Sequence, residues 1–327
     1  MKKKFASSGI CLLTAIIWGF AFSAQDIASQ KSHLIDAFFF NGIRFTLGAV
    51  SLIPVILLFE REKKESPKEN PSKIKNTVIY GVITGVILFI ASILQQFGIQ
   101  LTGESGKVGF ITGLYIIFVP IVSFIIFRQK LSPLVWGAML FAVCGLYFLS
   151  IGDDGFSIQP GDILAFIGAF FWTAHIIVVD RFINKVSALK YSCVQFLTVG
   201  VLNLIIGSFE VMITSSAGHI SLLGIQKCLF PILYCGLMST GVAYTCQMIG
   251  QKHTHPAIAA LLFSTEGLFA VIAECTIEQR LPSSTMVIGC SLMFLGIIFS
   301  QIPFSKEERL NLFAKRKKSH SVSKDKK

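Results

Sequence analysis

NTVIYGVITGVILFIASILQQFGIQL, residues 76–101, runs for 26 positions without a charge. Lipid offers a backbone no hydrogen-bond partner, so such a run crosses a bilayer as a helix or within a closed barrel. A barrel strand alternates apolar and polar residues over about ten positions. This run is continuously apolar and exceeds the ~20 residues that span a hydrocarbon core, so it predicts a helix. Working outward, nine further runs read the same way: about 9–27, 35–59, 105–127, 132–151, 161–180, 188–212, 228–250, 255–277 and 283–303. Composition agrees. Of 327 residues, 53% are hydrophobic and 14% charged, against about 25% charged in a soluble domain. A water-soluble globular chain is excluded, and so is a disordered one, which needs low hydrophobicity.

The net charge is +11. Its distribution points to orientation in a membrane rather than to nucleic acid, because the basic residues sit in the tails and between apolar runs. With the N-terminus inside, 24 of the 29 Lys and Arg fall on inner segments, among them Lys2, Lys3, Lys4, Arg181, Lys252 and the tail. The outer segments hold Lys31, Lys107, Lys227 and Arg280, and Arg44 lies within a span. Both termini are therefore expected in the cytoplasm. The eight cysteines form no CxxC pair and lie mostly in apolar runs. Buried free thiols behave as small hydrophobes, so neither disulfides nor a metal is expected.

The two halves are weakly self-similar at a spacing of about 150–154 residues. LLTAIIWGFAFSAQD (12–26) lies over FIGAFFWTAHIIVVD (166–180), matching Trp18 with Trp172 and Asp26 with Asp180. AFFFNGIRFTLG (37–48) lies over ALKYSCVQFLTV (188–199), matching Arg44 with Gln195 and Phe45 with Phe196. Gln96 falls on Gln247, Tyr115 on Glu266, and 128–150 on 278–300. Five spans per half is an odd number, so the halves enter the membrane with opposite orientation. Such inverted repeats mark secondary transporters, which bind solute near the midplane between the repeats. The stretch from Gly9 to Ala24, with Lys2–Lys4 before it, has the look of a signal peptide. Its partnership with the sixth span makes it a retained helix.

These features resemble the drug/metabolite transporter superfamily, EamA type, over about residues 9–303. The carriers are Trp18–Gly19, Arg44-Phe45, the basic turn before a Gly-rich fifth span (RQKLSPLVWGAMLFAVCG), and Gly161-Asp162 with Trp172. The fourth and ninth spans share the family's small-residue starts, GKVGFITG and PAIAALLFSTEG. Glu266-Gly267 stands where the family commonly has Glu-Pro. The resemblance implies ten helices around a central cavity, alternating access, and passage of small metabolites.

Polar side chains at bilayer depth are costly and are functional candidates. Trp18, Trp172, Tyr115 and Glu266 fall about halfway along their spans; Arg44, His175 and Gln195 lie within a turn or two of that plane. Gln95 and Gln96 count as nearer the outside, and Gln247 as nearer the inside. Glu266 is the sharpest candidate for carrying a coupling proton, with His175 the second; a structural carboxylate paired with Arg44 or His175 is the alternative. Arg44 can hold a substrate carboxylate or clamp helices through a carbonyl or Glu266. The basic residue that the resemblance implies here, whatever the substrate, favours the clamp. Gln95, Gln96 and Gln195 line the path or bind helix to helix. Trp18, Trp172 and Tyr115 are too deep for an interfacial belt and can wall a cavity.

Other features read more simply. Gly81 and Gly85 have the spacing of close helix contacts. Pro120 is expected to kink the fourth span. Asp153-Asp154 reads as a solvated turn, and Asp162 as a helix N-cap. His253 and His255 are too few for a metal site. Loop 61–73 and tail 315–327 are read as topology anchors, the loop touching anionic lipid. No nucleotide-binding or hydrolase motif is present.

The sequence thus predicts an all-helical integral membrane protein, not an enzyme, with no cofactor and no nucleic-acid partner. Its halves are 1–151 and 152–304, and its tail 305–327. It is expected in a cytoplasmic membrane, moving a small organic solute such as an amino acid, with proton coupling and homo-oligomerisation both open. A lipid-modifying membrane enzyme, a structural or sensory protein and a channel are the rivals. The enzyme reading has only Glu266 and His175 to use, neither at interface depth.

Overall fold

The computed structural model describes residues 2–30, 34–62, 71–103, 105–128, 133–150, 159–214, 220–277 and 284–301. The Asp153-Asp154 turn, most of loop 61–73 and the tail 315–327 lie outside the described residues. Among the described residues every regular element is a helix, apart from an isolated antiparallel bridge between Ile35 and Ile220.

Three long helices come first: α1 (Lys2–Ser29), α2 (Ala37–Glu62) and α3 (Pro71–Thr102). The fourth apolar run is broken into α4 (Ser105–Gly113) and α5 (Tyr115–Phe127), and α6 (Pro133–Ser150) follows. Then come α7 (Pro160–Phe182), α8 (Ala188–Thr214), and the short α9 (Leu222–Lys227) and α10 (Leu229–Leu233). A π-helical stretch, Tyr234–Tyr244, leads into α11 (Thr245–Gln251). The ninth run is broken into α12 (Pro256–Phe263) and α13 (Glu266–Ile277), and α14 (Ser284–Gln301) closes the described chain. Eight helical stretches are long and apolar enough to cross a membrane. The fifth and tenth runs, in α6 and α14, hold the shorter apolar helices Pro133–Gly145 and Val287–Gly296.

The helices are apolar on nearly every face, as lipid requires. On α8, Leu197, Val201, Ile205, Phe209 and Met212 recur every three or four residues and are exposed, while Phe196, Val199 and Asn203 on the other side are fully buried. Packing pairs α6 with α14, α2 with α8, α3 with both α7 and α8, and α1 with α11, α13 and the π-helical stretch. Small residues permit these approaches. A Cβ on Gly145 would stand 2.5 Å from Met293 Cγ and 2.7 Å from Gly289 O; one on Gly296 would stand 2.8 Å from Ala138 O and 3.4 Å from Ala142 N. Likewise a Cβ on Gly85 would stand 2.9 Å from Gln195 O, and one on Gly236 3.1 Å from Arg44 O. Gly145 and Gly296 therefore serve contact within the chain, whereas Gly137 meets nothing within 4 Å.

The fourth run is interrupted at Leu114, whose N–H bonds Ile111 O at 3.2 Å, and Pro120 lies within α5. One expectation is corrected. Asp162 is not the N-cap of α7. Gln159 holds that place, and its N–H donates to Asp162 Oδ2 at 2.7 Å. Asp162 also pairs with Lys107 Nζ at 2.8 Å, tying the start of α4 to the start of α7. His255 caps α12, its Nδ1 accepting from Ala257 N–H at 3.2 Å.

Candidate functional site

The two broken helices build the site. At the second break Ser264 Oγ donates to Leu261 O at 2.9 Å and Thr265 Oγ1 to Leu262 O at 2.6 Å. Hydroxyls that bond back to carbonyls in this way bend helices, and here they lie at a break that contains no proline. Thr265 N–H then reaches Leu262 O, three residues back, just as Leu114 N–H reaches Ile111 O. The result is that Tyr115 opens α5 and Glu266 opens α13. A carboxylate in a first turn is favoured by the helix dipole. The Tyr115 hydroxyl donates to Glu266 Oε1 at 3.0 Å, both side chains being buried.

Around this bond lies a central cavity of about 440 Å³ of unfilled space, its mouth included. α1 contributes Trp18, Phe22 and Gln25; α2 contributes Arg44; and α3 contributes Gln95. Thr112 and Tyr115 come from the first broken pair, Trp172 from α7, Ser239 and Tyr244 from the π-helical stretch, Gln247 from α11, and Glu266 from α13. The walls are aromatic: Trp18 lies 4.8 Å from Tyr244, 5.5 Å from Phe263 and 6.4 Å from Trp172, between ring centroids.

Arg44 is 2% exposed. Its Nε donates to Asn41 Oδ1 at 2.7 Å, and its guanidinium carbon stands 4.8 Å from the Phe45 ring centre. Among the described residues it forms no ion pair with Glu266 or any other carboxylate, so the clamp to Glu266 is not made.

Of the nine residues singled out from sequence, Trp18, Arg44, Gln95, Tyr115, Trp172 and Glu266 line this cavity together. Gln96, His175 and Gln195 do not. Gln96 follows Gln95 and so points elsewhere on α3; its Nε2 donates to Ser29 Oγ at 2.8 Å. His175 Nε2 and Gln195 Oε1 share a 3.2 Å hydrogen bond between α7 and α8, both residues being fully buried. Sequence reasoning missed Gln25, Thr112, Ser239, Tyr244 and Gln247. Gln25 was findable, two turns along α1 from Trp18 on the same face. Gln247 was read as nearer the inside and not as a lining residue, yet it reaches the cavity from α11.

A multi-pass helical bundle with broken helices and a polar cavity at its centre is the architecture of a membrane transporter. The chain belongs to the EamA-like transporter family, whose profile matches residues 7–151 and again 159–301. An "Uncharacterized transporter" of Archaeoglobus fulgidus is 26% identical over 298 residues, 91% of this chain and 86% of that protein. The "Uncharacterized transporter YrdR" of Bacillus subtilis is 24% identical over 336 residues, 98% of each chain. A solved crystal structure shares the fold with a TM-score of 0.71 at 16% identity, covering 90% of this chain and 96% of that one. Family and relatives alike point to a transporter and not to an enzyme.

Proposed function

We propose that the protein is a secondary transporter of two inverted five-helix halves, 1–151 and 152–304, moving a small organic metabolite by alternating access. The observation that carries this reading is where the cavity lies: among residues that are counterparts in the two halves. Trp18 meets Trp172, Phe45 meets Phe196 at 6.3 Å between ring centres, and Tyr115 bonds Glu266. In an inverted repeat, counterparts meet only near the axis relating the halves. Reciprocal packing supports the same axis. Gly145 faces Gly289 and Met293, while Gly296 faces Ala138 and Ala142, the same trio displaced by 151 residues. Gly85 faces Gln195 and Thr198, while Gly236 faces Arg44 and Leu47, again displaced by 151.

Aromatic walls with a few polar groups among them suit a small organic solute such as an amino acid or a drug-like compound. Glu266, buried at the start of α13, is the group for proton coupling. The charge asymmetry favours cytoplasmic termini in a cytoplasmic membrane. Reconstituted protein tested against a panel of amino acids and small metabolites should give a saturable solute-evoked pH change. The pH change should vanish in Glu266→Gln. A solute signal equal in both proteins would make Glu266 structural, and silence across the panel together with no labelled uptake would contradict transport.

A further inference from the structure

Several buried polar atoms of the cavity residues have no partner. They are the indole N–H groups of Trp18 and Trp172, both amide atoms of Gln247, Gln25 Oε1 and the Thr112 hydroxyl, so that donors outnumber pure acceptors once Arg44 is added. Trp172 is 7% exposed and Gln247 fully buried. An indole N–H and a guanidinium can only donate. Arg44 adds a full positive charge; its Nε donates to Asn41 Oδ1, and the carboxyl of the lining, Glu266, is engaged by Tyr115. Buried donors left unmatched are destabilising until something brings acceptors to them.

We propose that the cavity binds its solute through a monoanionic oxyanion, a carboxylate in the simplest case, held by Arg44 and the free N–H groups of Trp18, Trp172 and Gln247. A carboxylate offers two oxygens and about four acceptor sites, enough for these donors. The single charge follows from the lining, which holds one cation, Arg44, and no lysine. A dianion would lack a second counter-charge and would face Glu266. The aromatic walls then take the apolar body of the solute. This assignment rests on the transporter reading but adds to it a chemical class, which neither the family nor its relatives' names supply.

The test uses the full chain in lipid nanodiscs and thermal unfolding at constant ionic strength. The probes are acetate and 4-methylpentanoate beside their uncharged analogues acetamide and 4-methylpentanamide, with sodium chloride as the salt control. A ligand that binds only the folded state raises the unfolding midpoint with concentration. The carboxylates should raise it and the amides should not. Trp172→Phe keeps the ring and removes one donor. It should leave the ligand-free midpoint close to wild type and raise the half-saturating carboxylate concentration about tenfold. Arg44→Gln should abolish the response. Equal responses to carboxylate and amide, no response to either, or a response unchanged in both variants would overturn the proposal. Transport of a solute with no acidic oxygen would sink this assignment while leaving the carrier intact; carboxylate binding without flux of any solute would do the reverse.

Discussion

Gly85 offers a quantitative test of how closely α3 packs on α8. A Cβ at this position would stand 2.6 Å from Thr198 Cβ and 2.9 Å from Gln195 O, where ordinary contact begins at 3.4 Å. Gly85→Ala must therefore push the helices apart by roughly half an ångström or more, against backbone on one side and a β-branched residue on the other. Overpacking of this kind costs ~1–3 kcal/mol, partly offset by the ~0.5–1 kcal/mol that Ala gains over Gly within a helix. The expected net loss is about 1–2 kcal/mol. Gly236, its counterpart, meets chiefly the tip of Leu47, 2.7 Å from Cδ2, with backbone at 3.1 Å. That tip can swing aside, so Gly236→Ala should cost less than Gly85→Ala. Gly9 has nothing within 4 Å, and Gly9→Ala should be neutral or stabilising by up to ~1 kcal/mol. The assay is thermal unfolding of the three variants in identical nanodiscs. A Gly85→Ala protein as stable as Gly9→Ala would refute the close approach and the packing argument built on it.

Other expectations concern the site and its supports. Lys107→Gln should destabilise the protein by ~1–3 kcal/mol by leaving Asp162 buried without its cation; a double-mutant cycle with Asp162→Asn should show coupling, and its absence would remove the ion pair from the account. Tyr115→Phe removes the hydrogen bond to Glu266 Oε1 and should slow solute-evoked proton movement; uptake kinetics identical to wild type would contradict a role for that bond. His175→Phe should cost ~1–3 kcal/mol of stability by orphaning the buried Gln195 amide, with solute half-saturation unchanged; a large shift in half-saturation would return His175 to the pathway.

Much of the fold was legible in the sequence because lipid imposes a simple rule on apolar runs. The run 76–101 sits inside α3, and each of the other nine runs is helical over most of its described part. What the sequence did not reveal were the breaks. Leu114 and Thr265 are unremarkable in composition, and the proline that was visible, Pro120, lies elsewhere. The second break carries local side chain to backbone bonds at Ser264 and Thr265, which a reading based on hydropathy alone does not see. The π-helical stretch Tyr234–Tyr244 was equally hidden, since its residues suit an α-helix; among its bonds Thr240 Oγ1 reaches Cys235 O, five residues back, at 2.8 Å.

The site was half legible. Depth alone picked out Trp18, Arg44, Tyr115, Trp172 and Glu266, because polar and aromatic groups at mid-membrane need a reason to be there. Depth does not give the azimuth around a helix, and so Gln95 and Gln96 could not be told apart, nor could His175 be separated from the cavity. The pairing of His175 with Gln195 needed the packing of α7 beside α8.

The most direct test of the central claim is counterflow in proteoliposomes. Vesicles loaded with an unlabelled solute from the panel are diluted into a trace of the same solute carrying a label. A carrier that alternates around one central site predicts transient accumulation of label above its equilibrium level, saturating with solute and lost in Trp172→Ala. Label that enters in proportion to its concentration, without overshoot and without saturation, would contradict alternating access and make the protein a channel.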